Sequence, residues 1–265
     1  MAMAMGMEKT AAGHEPEVGG RVNTKMNLVD FHAHILPGID DGAKDCSTAL
    51  NMLSASKQEG IATIVATPHF YGEKRSVGEF LEERNASYER LMTAARENNA
   101  DIPDIRLGAE VYLRPELSQD KELPRLCIEG TRYLLLEMPY SQWNRWMYDE
   151  IYQLEALYDI RIILAHLERF TASVREFEKY ETLLSMNLVV QVNASSVVER
   201  PSKKIVKQLL KEDAVHLLGS DCHNMTTRPP GLSEACKKLE KIAGAELPVQ
   251  LFHNANQILA NETIL

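Results

Sequence analysis

Imidazole and carboxylate side chains recur along this sequence at spacings that could build a metal site. The first group is a His-x-His pair, His32 and His34, followed closely by Asp40 and Asp41. Two residues apart on a strand, the two imidazole rings would point to the same side. The remaining members are His69, Glu110, Glu137, His166, Asp221 and His223. Imidazole and carboxylate ligands suit Zn, Mn and Fe without any thiolate. The set is too large for one tetrahedral ion but fits two or three ions that share a bridging carboxylate.

Each of these residues also has a structural interpretation. A single histidine at the end of a strand is more often a hydrogen-bonded core or rim residue than a ligand. Glu137 lies in the apolar run Leu134–Met138, and a buried carboxylate needs a cation, a metal or a hydrogen-bond donor nearby. An arginine partner for Glu137 is the structural alternative to a metal. The set as a whole favours metal binding because its members follow several different strand-like runs.

Short apolar runs alternate with longer amphipathic stretches, a pattern typical of parallel strands covered on both faces by helices. The strand-like runs are Asn27–Phe31, Ile61–Ala66, Asp104–Ala109, Tyr133–Leu136, Ile160–Ala165, Leu188–Val192 and Ala214–Leu218. The helix-like stretches are Ser47–Glu59, Val77–Asn98, Ser141–Tyr158, Ser173–Met186, Lys203–Lys211, Leu232–Ile242 and Pro248–Ala260. Ser47 is the expected N-cap of the first helix, and Gly60 follows its end.

Seven strands alternating with helices predict an α/β protein with a parallel sheet. In a β/α barrel the carboxyl ends of the strands converge on one face, where the active site lies. The histidines and acids that follow the strands would therefore meet in space. We expect one domain over residues 26–265 and a mobile leader over residues 1–25, in which His14 is a solvated tail residue.

Composition excludes several classes of function. The 265 residues carry 29 Lys+Arg against 38 Asp+Glu, a formal net charge of −9. Such an acidic chain is a poor candidate for non-specific binding to nucleic acid or to anionic membranes, so we expect neither partner. No apolar run approaches the length that crosses a bilayer, and no signal-peptide core is evident. The 4 cysteines form no CxxC pair, which favours a cytoplasmic protein.

Several other residues could carry function, but we expect structural roles for them. His216 falls inside a predicted strand, His253 falls inside the last helix, and Trp143 and Trp146 could share one helix face. Cys222 to Arg228 has the Cys-x5-Arg spacing of cysteine-dependent tyrosine phosphatases. The loop has no glycine, and its thiol is flanked by two candidate metal ligands, so a cysteine mechanism is disfavoured.

The sequence resembles the PHP (polymerase and histidinol phosphatase) superfamily, and more closely the bacterial capsule-type, manganese-dependent protein-tyrosine phosphatases. The segments that carry the resemblance are Asp30-Phe-His-Ala-His-Ile-Leu-Pro-Gly-Ile-Asp-Asp-Gly42, Ala66-Thr-Pro-His69, Gly108-Ala-Glu110, Leu136-Glu-Met-Pro139, Ala165-His-Leu-Glu-Arg169 and Gly219-Ser-Asp-Cys-His-Asn224 with Arg228-Pro229. They occur in order through almost the whole chain from Asn27 onward. The resemblance implies a distorted, TIM-barrel-like (β/α)7 barrel of the PHP type with three metal ions.

The resemblance also implies which residues hold which ion. One ion would take His32, His34, Glu110 and Asp221, and a second would share Glu110 and add Glu137 and His166. A third would take His69, His223 and one of the Asp40/Asp41 pair, with Asp41 favoured. Arg169 and Arg228 would bind the phosphate and take part in catalysis. The expected metal is Mn, with Fe, Zn or Co as alternatives.

The implied activity is hydrolysis of phosphotyrosine in proteins, with an autophosphorylating bacterial tyrosine kinase of capsule or exopolysaccharide synthesis as the substrate. Three divalent ions and four carboxylates would leave a local charge of about +2, which attracts a phosphate dianion. A metal-bridging hydroxide would then attack phosphorus while the arginines stabilise the equatorial oxygens. Two alternatives stay open, namely a phosphatase for a small metabolite such as histidinol phosphate and a non-catalytic regulatory barrel.

Overall fold

The computed structural model of the protein describes residues 28–140, 143–170, 181–186, 188–199 and 202–265. The predicted leader with His14 lies outside the described residues, as does most of the helix predicted over 173–186. No helix in the described part of the chain has the length and apolarity needed to cross a membrane.

Nine strands form the sheet of the described chain, and all of their pairings are parallel. Their bounds are β1 Leu28–Ala33, β2 Ile61–Ala66, β3 His69–Phe70, β4 Asp104–Leu107, β5 Glu110–Tyr112, β6 Tyr133–Glu137, β7 Arg161–Leu164, β8 Val189–Asn193 and β9 Leu217–Gly219. One run pairs in the order β1-β2-β4 and the other in the order β3-β5-β6-β7-β8-β9.

These nine strands occupy seven successive strand positions, or staves, around one curled sheet, as the sequence predicts. The second stave is β2 continued by β3, and the third is β4 continued by β5, since β2 pairs with β4 and β3 with β5. The run Asp104–Ala109, predicted as one strand, is therefore interrupted after Leu107. A parallel bridge between Ala33 and Cys222 joins the first stave to the last. The result is a distorted (β/α)7 arrangement of the TIM-barrel-like type.

Most of the helices cover the outer face of the sheet, whereas the last one packs against the inner apolar cluster. Their bounds are α1 Cys46–Gln58, α2 Val77–Glu97, α3 Arg145–Tyr158, α4 Glu181–Leu184, α5 Ala194–Val198, α6 Lys203–Lys211, α7 Leu232–Ala243 and α8 Glu246–Leu259. The predicted N-cap Ser47 is wrong, because the Asp45 carboxylate accepts from the Thr48 N–H at 2.7 Å and α1 begins one residue earlier. The short α5, which directly follows β8, was not predicted.

Two apolar clusters hold the barrel together. On β6, Tyr133 and Leu135 belong to an inner cluster that also contains Ala255 and Ile258 of α8. The intervening Leu134 and Leu136 belong to the larger cluster between strands and helices. Alternate strand residues point to opposite faces, so Glu137 points to the same inner side as Leu135. The alternation therefore places the Glu137 carboxylate at the mouth of the barrel. Helix α8 packs against the interior through the inner cluster.

Candidate metal centre

His32 and His34 come from the end of β1 and are completely buried. Their Nε2 atoms lie 3.1 Å apart. Both Nε2 atoms face the same two carboxylate oxygens. The His32 Nε2 lies 3.3 Å from Glu110 Oε2 and 3.5 Å from Asp221 Oδ1. The corresponding distances from the His34 Nε2 are 3.2 and 3.4 Å. The register of β1 against β2 shifts between Asp30 and Ala33, and such bulges re-aim side chains near active sites. Two ring nitrogens that converge on two carboxylates form a donor set for a cation.

Glu110 lies at the centre of the cluster, with its two oxygens directed to different neighbours. Oε1 is 2.8 Å from His166 Nε2, while Oε2 is 3.0 Å from His69 Nδ1 and also faces the β1 histidines. Glu137 approaches from β6, with Oε1 3.7 Å from His166 Nε2 and Oε2 3.9 Å from His69 Nδ1. Glu110 is thus placed as a bridging carboxylate would be.

A third group gathers around the exposed edge of the site. Asp41 Oδ1 lies 3.5 Å from His69 Nε2 and 3.4 Å from His223 Nε2. The ligand atoms of His34, Asp41, His69 and His223 all lie within 4.8 Å of one another. The His223 Nδ1 donates to the Asp221 carbonyl at 3.0 Å, which leaves its Nε2 as the unprotonated nitrogen. The structure therefore brings all the histidines and acids singled out in the sequence into one region, with His34 added to this third group.

The structure gives Asp40 and Asp41 different environments. The Asp40 Oδ2 accepts from His34 Nδ1 at 2.8 Å and from the His69 N–H at 3.0 Å, and its Oδ1 accepts from the Gly42 N–H at 2.9 Å. Burial raises the pKa of Asp40, but the His34 ring and these backbone donors outweigh it and hold the pKa well below the ordinary value. Asp40 thus orients His34 from behind, whereas Asp41 faces the site.

Several buried atoms in the cluster have no hydrogen-bond partner within the described chain. Four of them are His69 Nδ1, Glu110 Oε2, Asp221 Oδ1 and His223 Nε2. Buried polar atoms are rarely left unsatisfied, and these four converge on the same space. Together with the mixed imidazole and carboxylate chemistry, they fit divalent metal ions. Candidate metal-binding clusters are accordingly present at the barrel mouth.

The pKa shifts in the site follow from burial and from close charges. Burial, and then the charge of Glu110, raises the pKa of Glu137 to about 7. Burial together with the nearby His34 and Arg228 lowers the pKa of His223 to about 4. Burial also lowers the pKa of His166. These two histidines are therefore neutral at pH 7, which is the form that binds a metal.

Asp221 connects the candidate metal-binding cluster to the two arginines. Its Oδ1 faces the β1 histidines, and its Oδ2 accepts from Asn193 Nδ2 at 2.7 Å, Arg169 Nη1 at 3.2 Å and Arg228 Nη2 at 2.5 Å. Both arginine side chains keep about a third of their surface exposed, 37% and 36%. In the described chain Arg169 pairs with Asp221 rather than with Glu168, the alternative partner suggested by the sequence. Glu168 is instead buried and accepts from the Asn193 N–H at 3.0 Å.

Two polar residues of β8 support the ligands and were missed by the sequence analysis. The Gln191 Oε1 lies 3.0 Å from His32 Nδ1 and accepts from the His166 N–H at 3.1 Å, so it orients two candidate ligands at once. Its Nε2 donates to Asn193 Oδ1 at 2.9 Å, and Asn193 in turn donates to Asp221. The sequence did carry a signal for them, because Gln191 and Asn193 alternate with valines in a buried strand. Buried amide groups need hydrogen-bond partners, so their position indicates polar neighbours inside the barrel.

Two glycines of the sequence motifs are required by close packing around the ligands. A Cβ on Gly42 would lie 2.3 Å from the His34 carbonyl oxygen, and one on Gly219 would lie 2.6 Å from His32 Cβ. Two candidate ligand residues, His166 and Asp221, adopt positive φ angles of 31° and 53°. Non-glycine residues rarely occupy this region, and such strain concentrates at functional sites.

The Cys-x5-Arg segment lacks the properties of a cysteine nucleophile. Cys222 is completely buried, and burial together with the neighbouring Asp30 raises the pKa of its thiol well above the ordinary value. A reactive thiolate needs the opposite shift and some exposure. The loop instead serves to position Arg228, since the Asn224 Oδ1 accepts from the N–H groups of Thr226, Thr227 and Arg228.

The residues expected to be structural lie outside the cluster. His216 precedes β9 rather than lying inside it, and its Nδ1 accepts from the Val190 N–H at 3.0 Å. His253 is exposed on α8. Trp143 and Trp146 do not share a helix face, because α3 begins at Arg145 and Trp143 lies before it. The Trp143 Nε1 donates to the Pro139 carbonyl at 3.2 Å, and both tryptophans pack against the core.

Comparison with known proteins gives these findings a family context. The sequence pattern of the family described as "Capsular polysaccharide synthesis, CpsB/CapC" matches residues 28–260. The tyrosine-protein phosphatase YwqE of Bacillus subtilis (strain 168) is 33% identical over 252 residues, which cover 89% of this chain and 93% of the relative. The tyrosine-protein phosphatase CpsB of Streptococcus pneumoniae is 29% identical over 250 residues, covering 89% of this chain and all of the relative.

The solved structures agree with the sequence comparison. A chain from the crystal structures of YwqE from Bacillus subtilis and CpsB from Streptococcus pneumoniae, described as unique metal-dependent tyrosine phosphatases, superposes with a TM-score of 0.77 at 29% identity. The match covers 90% of this chain and 96% of that one. An organophosphorus hydrolase variant matches with a TM-score of 0.51 at 14% identity over 88% of this chain and 93% of its own, which shows a shared fold alone.

Proposed function

This chain belongs to the CpsB/CapC family of capsular polysaccharide synthesis, and we propose that it is a metal-dependent phosphatase acting on phosphotyrosine in proteins. The observation that carries the proposal is the position of Asp221. One of its oxygens faces the histidine cluster, and the other accepts from two arginines whose side chains are about one-third exposed. A phosphate held by those arginines would lie directly beside the metal ligands, which is the arrangement that phosphoryl transfer requires.

We assign the ligands as the resemblance implies, with three ions and Mn as the metal. His32, His34, Glu110 and Asp221 would hold the first ion, and Glu110, Glu137 and His166 the second. His69, His223 and Asp41 would hold the third, with the buried Asp40 as an orienting residue rather than a ligand. The choice among Mn, Fe, Zn and Co is set largely by availability, because all of them accept these ligands.

The chain's own residues would bind the phosphoryl group, and the bound metal ions would supply the remaining chemistry. Bound divalent ions supply Lewis-acid activation of water and charge neutralisation at the phosphoryl oxygens. Arg169 and Arg228 would donate to those oxygens with their planar, always-charged guanidinium groups. A tyrosine leaving group, with a pKa of about 10, needs less protonation than an alkyl alcohol. Aryl phosphates are therefore the substrates that this site suits best.

We propose that the protein substrate is a bacterial tyrosine kinase of capsule or exopolysaccharide synthesis. The support is the family's description and the names of its members, which join capsular polysaccharide synthesis to tyrosine phosphatase activity. A cytoplasmic location agrees with the four unpaired cysteine thiols of the described chain.

The test combines metal analysis with activity on two substrates. The purified protein is assayed on a phosphotyrosyl peptide and on histidinol phosphate, before and after chelation and after reloading with Mn. We expect metal-dependent hydrolysis of the peptide that is lost on chelation and restored by Mn. A strong preference for histidinol phosphate would contradict the proposal. Absence of activity on any aryl phosphate by the Mn-loaded protein would indicate a non-catalytic barrel.

A further inference from the structure

Tyr140 is an exposed aromatic residue beside a phosphate-binding arginine. It follows Glu137 by three residues and keeps 57% of its surface exposed. The guanidinium carbon of Arg169 lies 5.5 Å from the centre of the Tyr140 ring. The centre of the Phe170 ring lies 4.6 Å from the centre of the Tyr140 ring and 5.7 Å from the ring centre of Trp143. The partly buried Phe170 ring thus packs against Tyr140, while more than half of the Tyr140 surface stays open to solvent.

Two further tyrosines near the cluster, Tyr71 and Tyr112, are only partly exposed, and their ring centres lie 5.6 Å apart. Tyr71 stacks on His69 at 5.3 Å, and the Lys74 ammonium lies 4.3 Å over its ring. Among the described residues with large exposed apolar side chains, Tyr140 is the aromatic one in contact with an arginine of the site. The exposed part of its ring is available for contact with a bound ligand.

The distances allow a substrate ring to reach Tyr140. Charge-assisted N–H···O bonds are about 2.8 Å long, so a phosphate bound by Arg169 would place its phosphorus on the order of 4 Å from the guanidinium carbon. An aryl group on that phosphate extends a few ångströms further. Aromatic rings interact favourably at centre-to-centre distances of about 4.5–7 Å. An aryl ring directed toward Tyr140 would fall within that range.

We propose that Tyr140 is the residue that recognises the phenyl ring of the substrate, so that the site prefers aryl over alkyl phosphates. This inference rests on the proposed function, since it places the phosphate on Arg169. Tyr140 would contact the ring that leaves with the ester oxygen, while the metals and arginines contact the phosphoryl group. Selection between phosphotyrosine and phosphoserine would then come from the ring as well as from the leaving-group pKa.

The test measures binding of two non-hydrolysable ligands to the Mn-loaded protein by calorimetry. Phenylphosphonate carries the ring, and methylphosphonate carries the same anionic head without it. In Tyr140→Ala we expect phenylphosphonate to bind about 2- to 12-fold more weakly, the range that corresponds to an aromatic pair. Methylphosphonate should bind with unchanged affinity. Tyr140→Phe keeps the ring and should bind both ligands as the wild type does. Tyr152→Ala is the matched control, because Tyr152 is 68% exposed on α3 and has no contact with the site residues in the described chain.

Two outcomes would overturn the inference. Equal weakening of both phosphonates in Tyr140→Ala would mean that Tyr140 acts only by positioning Arg169. Unchanged binding of phenylphosphonate would mean that the ring is not recognised there. Failure of the proposed function has a different signature. A wild type that binds phenylphosphonate more tightly than methylphosphonate through Tyr140, yet does not hydrolyse a phosphotyrosyl peptide, would sustain the ring contact and refute the phosphatase assignment.

Discussion

Neutralising Asp40 and Asp41 in turn should separate a role in folding from a role in metal binding. The two carboxylates are adjacent in sequence, but the Asp40 side chain is 5% exposed and the Asp41 side chain is 66% exposed. Asp40→Asn introduces an NH2 group where a carboxylate oxygen now accepts from His34 Nδ1 and the His69 N–H. The alternative rotamer turns the NH2 group toward the Gly42 N–H. Either orientation sets donor against donor in a buried position.

The size of the effect follows from the hydrogen bonds that are lost. A bond to a charged group contributes about 1.5–3 kcal/mol, so losing the two bonds to one oxygen should cost about 3 kcal/mol or more. For a chain of this size, each 1 kcal/mol shifts the midpoint of thermal unfolding by about 2–4 °C. We expect Asp40→Asn to lower the Tm of the chelated protein by about 6–12 °C. Asp41→Asn should change the free energy of unfolding by less than about 0.5 kcal/mol, as exposed substitutions do.

The loss of bound metal should be larger in Asp41→Asn than in Asp40→Asn, the reverse of the order expected for the loss of stability. Thermal unfolding of the chelated variants, followed by elemental analysis after dialysis against limiting Mn, measures both properties on the same samples. Asp41→Asn should bind less metal than the wild type while its fold stays intact. Near-normal Mn in Asp41→Asn, together with metal loss at unchanged stability in Asp40→Asn, would show that the roles of the two carboxylates are reversed and would refute the reasoning.

Four further predictions address the rest of the site. Cys222→Ser should retain most of its kcat/KM on a phosphotyrosyl peptide because the thiol is buried and its pKa is raised; loss of activity at unchanged metal content would restore the cysteine mechanism. Gln191→Leu should weaken metal binding about 10- to 100-fold in a chelator competition assay, since His32 loses its orienting partner. Metal binding followed by calorimetry should weaken as the pH falls through about 7, because Glu137 then takes up a proton that the metal must displace, and Glu137→Gln should lack this step. Arg228→Met should lower kcat/KM about 10²- to 10³-fold with normal metal content, as expected for removal of one charge-stabilising donor.

Most of the fold could be predicted because its signals are local. The run Lys203–Lys211 becomes α6 with the predicted bounds, and Ile61–Ala66 becomes β2. The interruption after Leu107 could not be predicted from periodicity, because the strand-like run continues to Ala109 and only the observed pairing separates β4, which pairs with β2, from β5, which pairs with β3. Gly108 sits at that break, with the Thr67, Val65 and Ile128 side chains packed around it. Such a constraint is set by tertiary contacts and is not visible in periodicity.

The candidate site could be predicted in composition but not in detail. The ligand types after strands indicated a polynuclear centre, yet several of them lie within strands, as His69 does in β3 and Glu110 in β5. The choice between Asp40 and Asp41 depends on which carboxylate faces backbone donors, and only coordinates supply that. Gln191 and Asn193 carry no motif, because an amide that orients a ligand has no preferred spacing from it in sequence.

An acidic chain that binds a phosphate dianion must concentrate positive charge locally. The sequence carries a formal net charge of −9, and Asp221 cancels part of the charge of Arg169 and Arg228 by pairing with both. Glu110 and Glu137, close behind, would repel the dianion further unless cations outweigh them. In the proposed site the carboxylates would bind the cations and the arginines would bind the phosphate, with Asp221 paired to both arginines and facing the histidine cluster. This division explains how one cluster can be rich in acids and still attract an anion.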